Sequence, residues 1–333
     1  MIYKRELRLT IGHSRDRFKN PANYGGNRQM KKNSIQTLWI IFFIAPGLLV
    51  VSVIIIYPLF ASLFNSFFTW DGFVRGSFVG LQNFRDLFTQ FPFNVRFFNA
   101  SANNVRWFIS SMLIQNTLGL LFGYLLSRNI RGHEFFKRVF FMPVLLPLIA
   151  VGFLWRLYYN PQFGLFLRIF QALGIEELYH PWLGDPSTAT YAIILINIWR
   201  WVGFPTLVFL AAIDNVPDEC IESAHMDGTP EWKIFWKIIF PLIIPAIMVI
   251  TVLTLIGSIN VFEQVFATAG LEGQPNYATD VLGTLFYRLA FGSFTSTIPI
   301  IRLGSALSVI IYLLCLTLSI TSILFFQRKE VRL

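Results

Sequence analysis

Residues 222–228 read Glu-Ser-Ala-His-Met-Asp-Gly, and residues 238–241 read Ile-Ile-Phe-Pro; both stretches lie between two long apolar runs. Negative charge at Asp218 and Glu219 favours a helix that begins there, because the helix dipole is positive at its start. Gly228 is suited to end that helix, and Pro230 is suited to the first turn of a second one. The sequence therefore predicts a polar helix-turn-helix over about residues 214–241, within a chain that is otherwise apolar.

The composition indicates a membrane protein. Apolar residues make up 55% of the 333 residues and charged residues only 14%, whereas about a quarter of a soluble domain is charged. A hydrocarbon core about 30 Å thick takes about 20 residues of helix. Six stretches meet that length: Leu38–Leu63, Trp107–Leu126, Val139–Leu157, Tyr191–Ile213, Ile238–Gly257 and Leu303–Phe326. The predicted fold is all-α with six transmembrane helices.

The basic residues predict the orientation. Nine of them lie in the first 34 residues, and others follow the second and sixth runs, at Arg128, Arg131 and Arg328. By the positive-inside rule both ends of the chain are cytoplasmic, and so is the loop at 214–241 between helices 4 and 5. We predict a basic tail over 1–34 and a transmembrane domain over 35–333. The net charge of +9 then reflects topology and attraction to membrane lipid, and nucleic acid is not expected as a partner.

Catalysis by this chain is not expected. None of the 22 glycines precedes a lysine, so the phosphate-binding loop that ends in Gly-Lys-Ser/Thr is absent from the sequence. The sequence also lacks a His-Glu-x-x-His motif and any Cys/His spacing typical of a metal site. We therefore predict no catalytic residue, no metal and no cofactor in this chain.

Two interpretations of the loop at 214–241 remain open from the residues alone. Trp232, Phe235, Trp236 and Ile239 follow at helical spacing and predict one apolar face, which favours a connector lying on the inner leaflet. The first helix, over Pro217–Met226, is acidic, however. Acidic side chains disfavour anionic lipid, so the alternative is a helix that docks into a groove of a partner protein.

Polar residues within the apolar runs predict a substrate path. Arg200 lies near the middle of the fourth run, where a charge costs about 2.5–3.5 kcal/mol unless it faces protein or water. Amides and aromatic rings lie nearby in the sequence. The alternatives are hydrogen bonds between helices, or an ion pair of Arg200 with Glu263. The candidate path residues are Gln115, Asn116, Asn197, Trp199, Arg200, Asn260, Glu263 and Gln264.

The loop resembles the cytoplasmic signature loop of ABC importer permeases, Glu-Ala-Ala-x-x-Asp-Gly followed after nine residues by Ile-x-Leu-Pro. Ser223 replaces the first Ala and Phe240 replaces the Leu. The resemblance extends over most of the chain and is to the sugar-type permeases of the maltose and glycerol-phosphate kind. It includes residues 78–84 and 182–186, whereas the usual Gly-Gly-Pro is replaced by Glu-Gly-Gln-Pro at 272–275.

The resemblance implies a subunit for carbohydrate import in a bacterial or archaeal cell (inner) membrane. It places the contact with an ABC ATPase at Glu222, Ser223, Ala224, Asp227 and Gly228. In that contact Ile221 and Ala224 would supply apolar area and Glu222 a charge-assisted hydrogen bond. The implied partners are an ATPase dimer that carries ATP and Mg²⁺, a second homologous permease in a heterodimer, and an extracytoplasmic solute-binding protein. The implied substrate is a sugar, an oligosaccharide or a polyol.

Two other function classes stay open. An ion-coupled secondary transporter would carry acidic residues inside the membrane, but the six runs hold Asp and Glu only at their margins. A membrane anchor for a cytoplasmic partner would also need a docking loop. Arg200 and the polar end of the fifth run favour transport over an anchor.

Overall fold

The computed structural model describes residues 39–128, 130–293 and 298–327. The chain divides into two compact units, residues 1–61 and 62–333. Helix α1 spans Trp39–Asn65 and includes a π-helical turn at Ser52–Ile56; up to Ala61 it forms the described part of the first unit. The predicted basic tail, 1–34, and the basic residues from Arg328 onward lie outside the described residues.

The second unit is mostly helical, and its elements follow in chain order. They are β1 Phe68–Asp71, β2 Val74–Phe78, α2 Gln82–Thr89, α3 Phe93–Ser127, α4 His133–Phe141, α5 Leu148–Tyr158, α6 Leu165–Ala172, α7 Ala189–Trp201, α8 Gly203–Asp214, α9 Asp218–Met226, α10 Glu231–Leu242, α11 Ile244–Ile259, α12 Phe262–Ala269, α13 Leu282–Phe291 and α14 Ile301–Gln327. Short 3₁₀ turns lie at Met142–Leu145 and Glu176–Leu178.

The prediction of an all-α fold is wrong for one hairpin, in which β1 and β2 pair antiparallel. Aromatic residues favour strands, and Phe68 and Trp70 lie in β1. Gly72 has φ +55°, a left-handed conformation that glycine adopts without steric cost and that reverses the chain here.

Among the described residues, α1, α3 and α14 are each long and apolar enough to cross a membrane. Three bent pairs reach that length together, which gives up to six spans: α4 with α5 at 96°, α7 with α8 at 42°, and α10 with α11 at 68°. All six apolar runs of the sequence fall on these helices. The second run, predicted to begin at Trp107, lies in a helix that begins at Phe93.

The bends coincide with prolines. Leu146 is extended immediately before Pro147, because a residue before proline avoids the helical conformation. Pro205 and Pro245 lie in the first turns of α8 and α11, where the missing N–H leaves no intrahelical bond unmade.

Helices α3 and α8 pack closely because α3 carries small residues at the contact. A Cβ atom built on Gly119 would lie 2.9 Å from Pro205 Cβ, and one on Gly123 would lie 3.0 Å from Thr206 O. Small residues spaced four apart permit such close approach of helices in membranes. The contact fixes the position of α3 beside the fourth run.

A set of buried and half-buried polar residues, which we call the polar framework, ties the start of α3 to the loop before α13. Asn103 Nδ2 donates to Ala278 O at 2.6 Å and Asp280 O at 2.7 Å. Asn104 Nδ2 donates to Ser258 O at 2.6 Å, and Asn104 Oδ1 accepts from Leu282 N at 2.9 Å. The framework comprises Asn99, Asn103, Asn104, Asp280, Thr284 and Arg288.

An ion pair closes this framework. Arg288 donates from both terminal nitrogens to Asp280, and the two side chains are 5% and 0% exposed. Burial raises the pKa of the Asp280 carboxyl, while the hydrogen bonds from Arg288 and Thr284 act in the opposite direction. The Glu-Gly-Gln-Pro segment lies in the same loop, where Gly273 has φ +59° and packs on Asp280. The departure from the family pattern therefore lies in a turn that leads into the framework.

Candidate functional site

A cavity of about 640 Å³ lies in the second unit, where α3, α7, α8, α11 and α12 meet. Its apolar lining includes the rings of Trp107, Trp201, Phe204 and Phe262. Amides, hydroxyls and one carboxyl lie among those rings. The polar lining residues are Ser111, Gln115, Asn116, Asn197, Thr254, Ser258, Asn260, Glu263 and Gln264.

Six of the eight predicted path residues meet at this cavity, although they come from separate parts of the chain. Gln115 and Asn116 lie on α3 and Asn197 on α7. The other three lie at or after the end of α11: Asn260, Glu263 and Gln264. The sequence alone did not show that these three segments share one space.

A π-helical turn at Ser111–Asn116 presents three polar residues of α3 to the cavity. This turn bonds each residue to the fifth before it, so Ser111, Gln115 and Asn116 come to one side. Asn116 Nδ2 then donates to Thr254 Oγ1 on α11 at 3.0 Å. Asn197 Nδ2 lies 3.4 Å from Gln115 Oε1, so one row of side chains connects three helices.

Two polar groups of the lining have no hydrogen-bond partner among the described residues. They are the amide of Gln264, at both its nitrogen and its oxygen, and the hydroxyl of Ser111. These residues are 1% and 2% exposed. A buried polar group without a partner costs about 1–3 kcal/mol. Both residues line the cavity, but these polar atoms are themselves covered by neighbouring atoms, so a ligand there would supply the missing partners only after the side chains turn toward it.

Trp199 and Arg200, predicted to line the same path, lie elsewhere. Asn197 and Trp201 share the face of α7 that reaches the cavity, being four residues apart. Trp199 packs edge-on against Trp155, with ring centroids 5.4 Å apart. Arg200 donates to Leu146 O at 3.1 Å.

The contacts of Arg200 explain how α7 holds the broken third run. The break at Pro147 leaves the carbonyls of Val144 and Leu146 without helical partners, and Arg200 Nη2 donates to both. The ion pairs of the described residues do not include one between Arg200 and Glu263. The charge of Arg200 is therefore met by main-chain oxygens at the bend, and Arg200 supplies no hydrogen-bond donor to the cavity.

The sequence reading missed several lining residues, above all Trp107, Ser111 and Trp201. Trp107 and Ser111 precede Gln115 by eight and four residues, which is the spacing of one helix face. That spacing was a usable signal for both. Thr254 and Ser258 are four residues apart on α11 and so share one helix face.

The polar loop forms the two helices that its sequence predicts. Helix α9 spans Asp218–Met226, and Gly228 follows it with φ +69°. Gly228 N donates to His225 O at 2.9 Å, and Thr229 N donates to Ala224 O at 3.0 Å. This pair of bonds is the Schellman motif, which satisfies the last carbonyls of a helix. A Cβ atom at Gly228 would meet nothing within 4 Å, so only the backbone conformation requires glycine.

Helix α9 has one face on the protein and one face free. Ala224 is buried, and Ile221 packs in the same apolar cluster with Ile213 and Ile234. Ala224 thus packs on the chain itself and Ile221 does so in part, while the expectation that both supply apolar contact to a partner stays a prediction. The free face carries Glu222, Ser223 and Met226, the last 88% exposed.

The predicted apolar face of the second helix is also wrong. Trp232 and Trp236 are exposed, whereas Ile234 and Ile239 are buried. A π-helical turn at Phe235–Ile239 changes the number of residues per turn within α10. A prediction that assumes regular α-helical spacing therefore assigns these residues to the wrong face of the helix. The two tryptophans remain available to a membrane interface or a partner.

A charged cluster fixes the turn between α9 and α10 to the end of α3. Arg128 forms an ion pair with Glu231, and Arg128 Nη2 donates to Tyr124 Oη at 2.6 Å. His225 Nε2 lies 3.6 Å from Glu231 Oε1. The cluster connects α9 to the helix whose other turns line the cavity.

The segment at 182–186 precedes α7. Asp185 Oδ1 accepts from Ser187 N at 2.7 Å, and Asp185 Oδ2 lies 2.9 Å from His180 Nε2. The hydrogen bonds from Ser187, followed by the contact with His180, lower the pKa of the Asp185 carboxyl. This segment positions the start of α7 and supplies no group to the cavity.

Comparison with known proteins agrees with this arrangement. Residues 115–332 match the family described as binding-protein-dependent transport system inner membrane component. The chain belongs to this family. It is therefore a multi-pass membrane permease of an ABC transporter, and it is a transport subunit, not an enzyme.

Two relatives and one solved structure show the extent of the likeness. A probable ABC transporter permease protein, YurN of Bacillus subtilis, is 32% identical over 288 residues, which are 86% of this permease and 94% of the relative. The probable starch degradation products transport system permease protein AmyD of Thermoanaerobacterium thermosulfurigenes is 27% identical over 301 residues, or 89% and 96% of the two chains.

The solved structure shares the fold. It is a bacterial alginate ABC transporter in complex with an alginate pentasaccharide-bound periplasmic protein, and one of its chains aligns with a TM-score of 0.72. The two chains are 22% identical, and the alignment covers 87% of this permease and 94% of that chain.

Proposed function

We propose that this permease forms half of a membrane path for a sugar, an oligosaccharide or a polyol. The observation that carries the proposal is the cavity, in which aromatic rings and amides from three helices surround about 640 Å³. Such a volume suits a small ligand, and amides among rings suit one that has both polar and apolar faces. The name of AmyD, a permease for starch degradation products, supports a carbohydrate.

We further propose six spans with both chain ends in the cytoplasm. The three long helices and three bent pairs supply the spans, and the excess of Arg and Lys at both ends supports the orientation. Helix α9 then lies on the cytoplasmic side. The cavity forms one wall of the path, and a second homologous permease in a heterodimer supplies the other wall.

The proposed contact with an ABC ATPase dimer uses the free face of α9. Glu222, Ser223 and Met226 meet the ATPase, while Ala224 holds the helix on the permease and Asp227 and Gly228 set its end. The ATPase carries ATP and Mg²⁺, and an extracytoplasmic solute-binding protein delivers the substrate. Because the Arg128–Glu231 cluster connects α9 to α3, movement of α9 reaches the lining at Gln115.

The test is ATP-driven uptake of a labelled oligosaccharide by the complete importer in proteoliposomes. Glu222→Ala together with Gly228→Val removes a charge from the free face and strains the left-handed turn, so we expect loss of uptake with normal insertion. Gly174→Val is the matched control, because Gly174 has φ +66° and open space around it but lies in the segment after α6, remote from α9 in the sequence. Normal uptake by the double variant would exclude this loop from coupling.

A further inference from the structure

The cavity has an uneven charge. Among the described residues that line it, Glu263 is the one ionisable residue, and neither Lys nor Arg lines it. Glu263 is exposed, and no hydrogen bond or ion pair joins its carboxylate to another described side chain. Arg200 does not line the cavity, and its guanidinium donates to Val144 O and Leu146 O. An anionic ligand would meet a carboxylate in this cavity and no cation from the described lining.

The neutral polar groups of the cavity suit hydroxyls. An amide both donates and accepts hydrogen bonds, and a hydroxyl does the same. Gln264 has both amide atoms unpartnered and Ser111 has its hydroxyl unpartnered, and both are buried. Once the Gln264 side chain turns toward the cavity, two adjacent ligand hydroxyls could satisfy its donor and its acceptor together. A carboxylate or a phosphate, which only accepts when ionised, would leave the Gln264 oxygen without a donor.

We propose that this cavity takes an uncharged polyhydroxylated ligand and rejects carboxylated or phosphorylated sugars, with Glu263 as the residue that sets this discrimination. The proposal rests on the proposed function as a carbohydrate path and narrows its substrate class. The discrimination has two physical causes. An anion entering the cavity loses water without gaining a cationic partner, and it is repelled by the Glu263 carboxylate.

The shared fold does not decide this property. The alginate transporter imports an acidic polysaccharide and has the same fold at 22% identity, so this fold does not by itself determine the charge of the substrate. In this permease the lining has a single carboxylate and neutral amides. A neutral ligand can also donate a hydroxyl proton to Glu263, which strengthens binding instead of weakening it.

The experiment measures the dissociation constant of ligands on the complete membrane assembly in nanodiscs, without the solute-binding protein, so that the selectivity belongs to the permeases. The probes are maltotriose and mannotriose and the matching trisaccharides of glucuronate and mannuronate, titrated by calorimetry. We expect the neutral sugar that binds more tightly to have a dissociation constant about tenfold or more below that of the matching uronate trisaccharide. A tenfold ratio corresponds to about 1.4 kcal/mol. Equal or tighter binding of the uronate would overturn the proposal.

Substitutions at Glu263 test whether its carboxylate causes the difference in affinity between neutral and acidic sugars. Glu263→Lys should abolish or invert the ratio of the two dissociation constants, and Glu263→Gln should narrow it, because the first reverses the charge and the second only removes it. Glu176→Lys is the matched control, since Glu176 is exposed and lies outside the cavity lining; its ratio should equal that of the wild type. An unchanged ratio in both Glu263 variants, each shown to be folded by its thermal unfolding, would overturn the role of Glu263.

The same probes in ATP-driven uptake with the solute-binding protein separate this inference from the proposed function. Uptake and binding of the uronate as well as the neutral sugar would retain a carbohydrate path and overturn the charge discrimination. Failure of every carbohydrate to bind and to be taken up would overturn both.

Discussion

Two buried polar regions of this permease differ in how their hydrogen bonds are met. In the polar framework the amides of Asn103 and Asn104 and the carboxylate of Asp280 all have protein partners, and one nitrogen, Arg288 Nε, has none among the described residues. In the cavity neither atom of the Gln264 amide has a partner in the part of the chain that the structure describes. Both regions are buried and both draw polar residues from α3. The difference separates buried polar residues that hold the fold together from those without a protein partner among the described residues, which are the ones that we propose receive a ligand.

The comparison can be tested by replacing a polar residue with an apolar one, because the expected effects on stability and on ligand binding differ between the two regions. Replacing a partnered polar residue by an apolar one leaves its partners buried and unpaired, which destabilises the protein. Replacing an unpartnered one removes a cost and leaves nothing unpaired. Stability should therefore fall in the framework and stay unchanged in the cavity, whereas ligand binding should change in the cavity.

The largest effect is expected for Arg288→Leu. It leaves the carboxylate of Asp280, which is 0% exposed in its side chain, without a counter-charge, and breaking a buried pair in this way costs about 3–5 kcal/mol. The measurement is reversible unfolding in mixed detergent micelles. The double variant Asp280→Leu with Arg288→Leu is the control and should lose much less, because no buried charge remains. Equal losses for the two variants would contradict the account.

A smaller loss is expected for Asn104→Leu. This change removes the donor to Ser258 O and Ile259 O and the acceptor of Leu282 N; leaving neutral groups unpaired costs about 1–3 kcal/mol, less than leaving a buried charge uncompensated. The same unfolding measurement applies. Asn94→Ala is the control on the same helix, since the Asn94 side chain bonds only Val95 N at an exposed position. A loss no larger than that of the control would show that the framework adds little to stability.

Gln264→Leu should leave the free energy of unfolding within about 0.5 kcal/mol of the wild type or raise it, because no protein partner is lost. Binding of the preferred neutral trisaccharide should weaken by about tenfold or more, the effect of one or two lost hydrogen bonds. Unfolding and calorimetric titration on the same preparation check both parts. A large loss of stability would show that Gln264 has a structural role.

Cavity residues could be predicted from the sequence when they carry a polar group whose burial in lipid would cost free energy. Gln115, Asn116 and Asn197 are amides within apolar runs, and an amide at such a position needs a partner or an aqueous space. Ser111 was missed because a serine in a helix can bond to a carbonyl of its own helix and so carries a weaker signal. Its lack of a partner is a property of the folded protein.

The surroundings of Arg200 were predicted wrongly, although the physical premise of the prediction was correct. A buried arginine must face protein or water, and the sequence offered Glu263 as the charged partner. The structure instead supplies two carbonyls freed at Pro147. Whether a proline bends a spanning helix depends on its neighbours, because Pro46 and Pro58 lie within the continuous helix α1. Helix positions could therefore be predicted from apolar runs, but the bends and the contacts at them could not.

The smallest effect is expected for Ser111→Ala. The Ser111 hydroxyl has no partner, so its removal should change the free energy of unfolding by less than about 0.5 kcal/mol. One hydrogen bond to a ligand contributes about 0.5–1.5 kcal/mol, so the dissociation constant of the neutral trisaccharide should rise about two- to tenfold. Thr206→Ala is the opposite case, because Thr206 is equally buried but donates to Val202 O at 2.8 Å within α8 and should leave binding unchanged. If Thr206→Ala weakened ligand binding as much as Ser111→Ala did, an unpartnered hydroxyl would not mark a ligand contact, and the contrast between the two buried regions would lose its meaning.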